Sequence, residues 1–221
     1  MKHCRWLFFI LAIGFPVQAE LPDWQQYFQP AQLNRLEQRF GPDGVARVQA
    51  LEQWLLAQLA REATTAEQLE AVNHYFNRLD FISDAEHWGQ ADYWATPLET
   101  VASGGGDCED FVIAKYFALR VLGVPPPNLR LMYAKAIELN QAHMVLLYLN
   151  QPDAMPKVLD NLLGEIRDGD ARPDLVPVYS FNAEGLWRAR AFDQGVRLKA
   201  GESGVDLWGD LMMRLAQEGE G

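Results

Sequence analysis

The chain has 221 residues, 49% of them apolar and 11% aromatic, enough to bury a real core in one domain of ordinary size. Its formal net charge is −11, with no basic cluster, which argues against nucleic acid and against anionic lipid as partners. It contains two cysteines, Cys4 and Cys108, so any disulfide framework is excluded once the N-terminus is read.

Lys2, His3 and Arg5 make a short basic head, and Leu7 to Val17 an apolar run too short to span a bilayer. Val17-Gln18-Ala19 then gives a small-x-small cleavage pattern. Residues 1–19 therefore read as a signal peptide, and 20–221 as one mature domain that does not insert in a membrane. Removing Lys2 and Arg5 takes the charge from −11 to −13, and removing Cys4 leaves Cys108 as the one thiol of an exported protein. A lone thiol in an oxidising compartment is a liability unless it is buried or used.

Pro30 to Phe40 has helical spacing, with Leu33, Leu36 and Phe40 on one face; Gly41-Pro42-Asp43-Gly44 breaks it. Val45 to Glu62 resumes as a second amphipathic helix. Thr65 and Gln68 read as a capping box for a third, running through Leu69, Val72, Tyr75, Phe76 and Leu79. The segment 22–80 is thus a helical N-terminal section, followed by a catalytic core over 84–221. Residues 84–103 are rich in Trp, Tyr and turn formers, for which core burial is the commoner fate. Gly104-Gly105-Gly106 leads into Asp107-Cys108-Glu109-Asp110 and an apolar helix from Phe111 to Leu122, stopped by Gly123 and Pro125-Pro126-Pro127.

The remainder reads as strands. Leu129 to Ile137 and His143 to Leu149 form a hairpin, Met155 to Leu159 a third strand, Val176 to Phe181 and Leu186 to Phe192 two more. Trp208 to Glu218 reads as a terminal helix. Helices followed by an antiparallel set of strands is an α+β plan.

The glycine run places Cys108 at a helix N-terminus, where unsatisfied N–H groups stabilise a thiolate and can hold an oxyanion. The glycines allow close approach of a substrate backbone. No Lys-Ser/Thr follows, so a phosphate loop is rejected. A nucleophilic thiol needs a base, and the base an orienting acceptor. His74 lies inside an amphipathic helix and reads as a surface or packing residue. His87 stays open. His143, at a strand end that can face a helix N-terminus, is preferred, with Asp160 at the end of the next strand as its acceptor.

Asp107, Glu109 and Asp110 flank the group that must ionise. Each negative charge within several Å disfavours the thiolate by roughly 1 kcal/mol even in water-like dielectric. A bound cation would offset them, and a cluster of hard oxygens suits Ca²⁺; a solvated acidic helix start is the competing reading.

Four stretches carry a resemblance: Tyr93-Trp94-Ala95-Thr96-Pro97, Ser103 to Phe111, Ala142-His143-Met144-Val145-Leu146 and Val158-Leu159-Asp160-Asn161. The chain resembles the bacterial transglutaminase-like cysteine proteases over most of its mature length. That resemblance implies a papain-like, transglutaminase-like core with Cys108 as nucleophile, His143 as base and Asp160 as orienter. It implies Ca²⁺ held by Asp107 and Glu109, with Asp110 a less certain third ligand. It further implies a periplasmic endopeptidase that releases a large adhesin from the cell surface by cutting near its N-terminus, and so controls biofilm attachment. An inner-membrane receptor that senses cyclic-di-GMP would sequester it. The alternative from the residues is a transglutaminase or deamidase using the same acyl-enzyme. A binding module with a decayed site is a further alternative.

Overall fold

The computed structural model describes residues 24–219, apart from 152, 153, 190, 193, 194 and 202. The expected signal peptide and Cys4 lie outside the described residues. Among them, no helix is long and apolar enough to cross a membrane.

The two N-terminal helices expected from the sequence join as α1, Pro30–Leu59, with Gly41 non-helical inside it. Pro42 lacks an N–H and is tolerated there because the helix restarts at that point. Helix α2, Thr65–Phe76, is capped one residue earlier than the sequence suggests. Thr64, not Thr65, is the N-cap. Its hydroxyl accepts from the Glu67 N–H at 3.3 Å, and the Glu67 carboxylate accepts from the Thr64 N–H at 2.8 Å. Two consecutive threonines offer two registers, and the one that puts a carboxylate at the positive helix end wins over the one that puts Gln68 there. Thr64→Ala is expected to lower unfolding stability by about 1 kcal/mol. Thr65→Ala should leave it nearly unchanged, and urea denaturation separates the two.

Two short helices, α3 (Asp84–His87) and α4 (Pro97–Ser103), occupy the aromatic segment. Gly105–Gly106, strand β2, pairs in parallel with Asp80–Phe81, strand β1. Helix α5 then runs Cys108–Val121, with Phe111, Val112, Ile113 and Leu119 buried.

The other strands form one antiparallel sheet of seven, in the order β6-β5-β4-β3-β7-β8-β9. They are β3 (Leu129–Ala136), β4 (Gln141–Tyr148), β5 (Lys157–Leu159), β6 (Arg167–Asp168), β7 (Leu175–Asn182), β8 (Gly185–Arg188) and β9 (Val196–Ala200). The two-residue β6, and the edge strand β9, which alternates Val196, Leu198 and Ala200 with Arg197 and Lys199 but is exposed throughout, were not expected from the sequence. The β3–β4 turn is tighter than expected, with Asn140 in the left-handed region (φ 51°). His143 therefore sits third in β4, opposite Ala134, and does not open it. One core lies between the helices and the sheet, where Phe111, Leu119, Leu131, Met144, Leu146 and Phe181 meet. A smaller one, around Met132, Val145, Leu147 and Val158, covers the other face. Helix α6, Asp206–Gly219, returns to pack Trp208, Leu211 and Leu215 on the main core. This α+β arrangement sets the start of α5 against β4.

Candidate active site

Cys108 is the first residue of α5, with Asp107 as N-cap. The Asp107 N–H donates to Asp110 Oδ2 at 3.3 Å, and Asp110 Oδ1 accepts from the Ala95 N–H at 2.8 Å. Gly106 makes room for this: a Cβ there would lie 2.3 Å from Asp110 Oδ2. Gly105 and Gly106 are both buried, so their role is to admit Asp110 and strand β1, not a substrate backbone. Gly106→Ala is expected to break the α5 cap and displace Asp110, costing about 2 kcal/mol or more. A drop in the thermal midpoint would register it.

His143 and Asp160 are brought together. His143 Nε2 lies 2.7 Å from Asp160 Oδ1, with both side chains almost fully buried. Ionised Asp160 only accepts, so Nε2 carries the proton and Nδ1 remains for a second partner. Burial would raise the Asp160 carboxyl, but hydrogen bonding and charge from His143, then the bond from Arg172, hold it down to about 2. His74 is exposed on α2, as a surface residue should be. His87 packs edge-on against Trp88, with ring centroids 4.4 Å apart, beside Asp84.

The thiol itself is engaged elsewhere. Cys108 Sγ donates to Glu109 Oε2 at 3.0 Å and not to the His143 ring. Burial pushes the thiol strongly up, and the charge and hydrogen bond of Glu109 and the charge of Asp107 add to it. The N–H of Met144, next after His143, hydrogen-bonds the sulfur and pulls the other way. The start of β4 thus reaches the thiol through Met144, while the helix end alone does not favour a thiolate.

The acidic neighbours are joined by two residues the sequence did not single out, Asp84 and Asp92. Asp84, Asp107 and Asp110 bring carboxylate oxygens within 4.8 Å of one another, as do Asp84, Asp92 and Glu109. At about 5 Å and an effective dielectric near ~20, each ionised pair repels by roughly 3 kcal/mol. Burial and then Glu109 raise the Asp107 carboxyl to about 9; burial likewise raises Glu109, Asp110 and Asp84. Asp84 Oδ1 and Asp107 Oδ1 are buried without a hydrogen-bond partner. Crowded carboxylates with orphaned oxygens and no neutralising Lys or Arg among them fit a hard divalent cation, and Ca²⁺ takes such an all-oxygen set. Asp84 lies 23 residues before Asp107, and only the fold unites them.

The aromatic segment is the wall of this cluster. The Tyr93 N–H donates to Asp84 Oδ2 at 2.5 Å and the Thr96 N–H to Glu99 Oε2 at 2.9 Å. With Ala95 committed to Asp110, three backbone donors of the segment are spent on carboxylates, which removes them as oxyanion donors. Trp94 is buried and stacks on Phe181, whereas Trp88 is only half-buried against Phe40.

The chain is similar to known proteins over most of its length. The family model of the bacterial transglutaminase-like cysteine proteinases matches residues 49–174. Calcium-bound LapG of Legionella pneumophila is 41% identical, with a TM-score of 0.68 over 84% of this chain and 98% of that one. EGTA-treated LapG from the same organism is 40% identical, with a TM-score of 0.71 over 84% and 96%. No curated protein is a significant sequence match.

Proposed function

Because the chain belongs to the bacterial transglutaminase-like cysteine proteinases and is a cysteine protease, we propose that it is a periplasmic, calcium-dependent endopeptidase that releases a large cell-surface adhesin by cutting near its N-terminus. The observation that carries the reading is a thiol at a helix N-terminus, next to a strand whose imidazole is held by a buried carboxylate at 2.7 Å. In the reaction, His143 Nδ1 takes the Cys108 proton and the thiolate attacks the scissile carbonyl carbon. As the C–N bond breaks, His143 returns the proton to the leaving amine. His143 then deprotonates a water that cleaves the thioester and restores the thiol. Asp160 keeps the Nε2–H tautomer throughout and stabilises the imidazolium. The Cys108 N–H, at the open end of α5, serves the oxyanion.

Asp107 and Glu109, joined by Asp84, Asp92 and Asp110, would hold Ca²⁺, whose charge offsets their mutual repulsion. The calcium-bound and EGTA-treated forms of LapG support this assignment. Glu109 is both the present acceptor of the thiol proton and a cation ligand, so its engagement elsewhere would leave the sulfur to His143. The signal-peptide pattern supports export, and the resemblance supports an inner-membrane cyclic-di-GMP receptor as the sequestering partner.

The test is incubation of the mature protein with N-terminal adhesin fragments, with and without Ca²⁺, read by product mass. Addition of one water across a peptide bond, only with Ca²⁺, is the expected result. Loss of ammonia on crosslinking, or no reaction, would overturn it. Cell fractionation checks the compartment.

A further inference from the structure

Asp160 is the meeting point of more groups than a triad requires. Its Oδ1 accepts from His143 and, at 3.0 Å, from the Leu162 N–H. Its Oδ2 accepts from Arg172 Nη2 at 2.6 Å. Lys115 of α5 faces it by charge without a hydrogen bond, and Asn77 Nδ2 donates to its backbone carbonyl at 2.7 Å. Arg172 is 1% exposed and is braced in turn. Its Nε and Nη2 donate to Asp174 Oδ1 and Oδ2, at 2.9 and 2.7 Å.

We propose that Arg172, anchored by Asp174, is a positioning residue of the reaction: it pins Oδ2 of Asp160 so that Oδ1 alone is presented to His143 Nε2. The proposal rests on the Cys108–His143–Asp160 reading above. The χ2 torsion of an aspartate is broad and nearly two-fold, so bonds to Oδ1 alone, from His143 and Leu162, do not fix the carboxylate plane. A bond from Arg172 Nη2 to the other oxygen does, because the planar guanidinium that supplies it is itself held by Asp174 through Nε and Nη2. Buried ion pairs of this kind contribute little net stability compared with apolar residues of similar size, which leaves orientation as the role that accounts for a charge here. Asp174 is partly exposed, so the brace runs from the surface to the imidazole through Arg172 and Asp160.

The test uses calcium-loaded mature protein with ¹⁵N-labelled histidine, in wild type and as Arg172→Gln, Arg172→Lys, Asp174→Asn, Asp160→Asn and His143→Gln. Two quantities are read: the His143 Nε2–H resonance, and the rate of Cys108 alkylation by iodoacetamide against pH. Arg172→Gln should lose the resonance and slow alkylation near neutral pH by roughly 10-fold, the scale expected for a misoriented group. Arg172→Lys, which keeps the charge but not the planar fork, should restore little of the rate, and Asp174→Asn, whose outer position leaves the fold intact, should slow it by about 3-fold. If Arg172→Gln fails to fold, Asp174→Asn decides. A wild-type resonance and rate in Asp174→Asn or in folded Arg172→Gln, while Asp160→Asn loses both, would overturn the inference. A wild-type alkylation profile in His143→Gln would instead overturn the triad on which it rests.

Discussion

Cys108→Ala leaves a folded protein that cleaves its substrate at least roughly 10⁴-fold more slowly, since the residual rate comes from binding and oxyanion donors alone. The side chain is small and only half-buried, so the thermal midpoint should move little. Two measurements check this: product formation by mass spectrometry at saturating Ca²⁺, and the unfolding transition of the same sample. Full activity in the alanine variant would remove the thiol from the chemistry. His143→Gln should approach the same loss, because without a base the thiol stays protonated: burial, Glu109 and Asp107 all push it up. The loss must appear in turnover more than in KM, as neither side chain is positioned to bind distant parts of a peptide.

The second large effect is the response to calcium. Asp107 is raised to about 9 in the folded chain, from an ordinary value near 4 when unfolded. Such a group binds more protons folded than unfolded between those two values, so the metal-free protein loses stability as pH rises from about 4 towards about 9. Asp160, held down to about 2, acts oppositely. Its contribution is present above pH ~4 and is lost only as pH falls towards about 2, so it cannot mask the trend at neutral pH. A cation that binds only the folded state adds RT ln(1 + [L]/Kd), about 2.7 kcal/mol at ~100 times Kd. For a chain of this size that is a rise in midpoint of roughly 5–10 °C. The rise should be larger at pH 8 than at pH 5, because displacing the Asp107 proton costs less as the pH approaches about 9. Asp84→Asn gives the sharper form of the test. It removes one repelling charge, so it should raise the metal-free midpoint while weakening Ca²⁺ binding about tenfold or more by calorimetry. A variant less stable without calcium, with unchanged affinity, would mean that Asp84 is a structural acceptor for Tyr93 and no part of a cation site.

Local signals in the chain already marked much of this protein. The periodicity of Leu33, Leu36, Val48, Leu51 and Leu55, the glycine stop after Leu122 and the β3–β4 hairpin are all local, and each formed within a few residues of its expected place. Where two local solutions were nearly equal, as at Thr64 and Thr65, the sequence reading took the wrong one, because helix-end electrostatics decided between them. Strand β6 has two residues, too few to show a period, and β9 alternates Val196, Leu198 and Ala200 with basic residues yet is exposed on both faces, so its pattern marks no buried face.

The candidate nucleophile was marked by the sequence by itself. One thiol remains after the N-terminal segment, among glycines and acids at the start of an apolar helix, and every one of those facts is contiguous along the chain. Its surroundings were decided by the tertiary structure. Asp84 and Asp92 come from an aromatic, turn-rich segment well before Cys108 in the chain, Arg172 from an irregular loop, and the thiol's present partner is Glu109, not His143. The physical reason is range: helix caps and periodicity act over three or four residues, whereas charges act through space, and the chain does not record which distant carboxylates and guanidinium folding will crowd around one site.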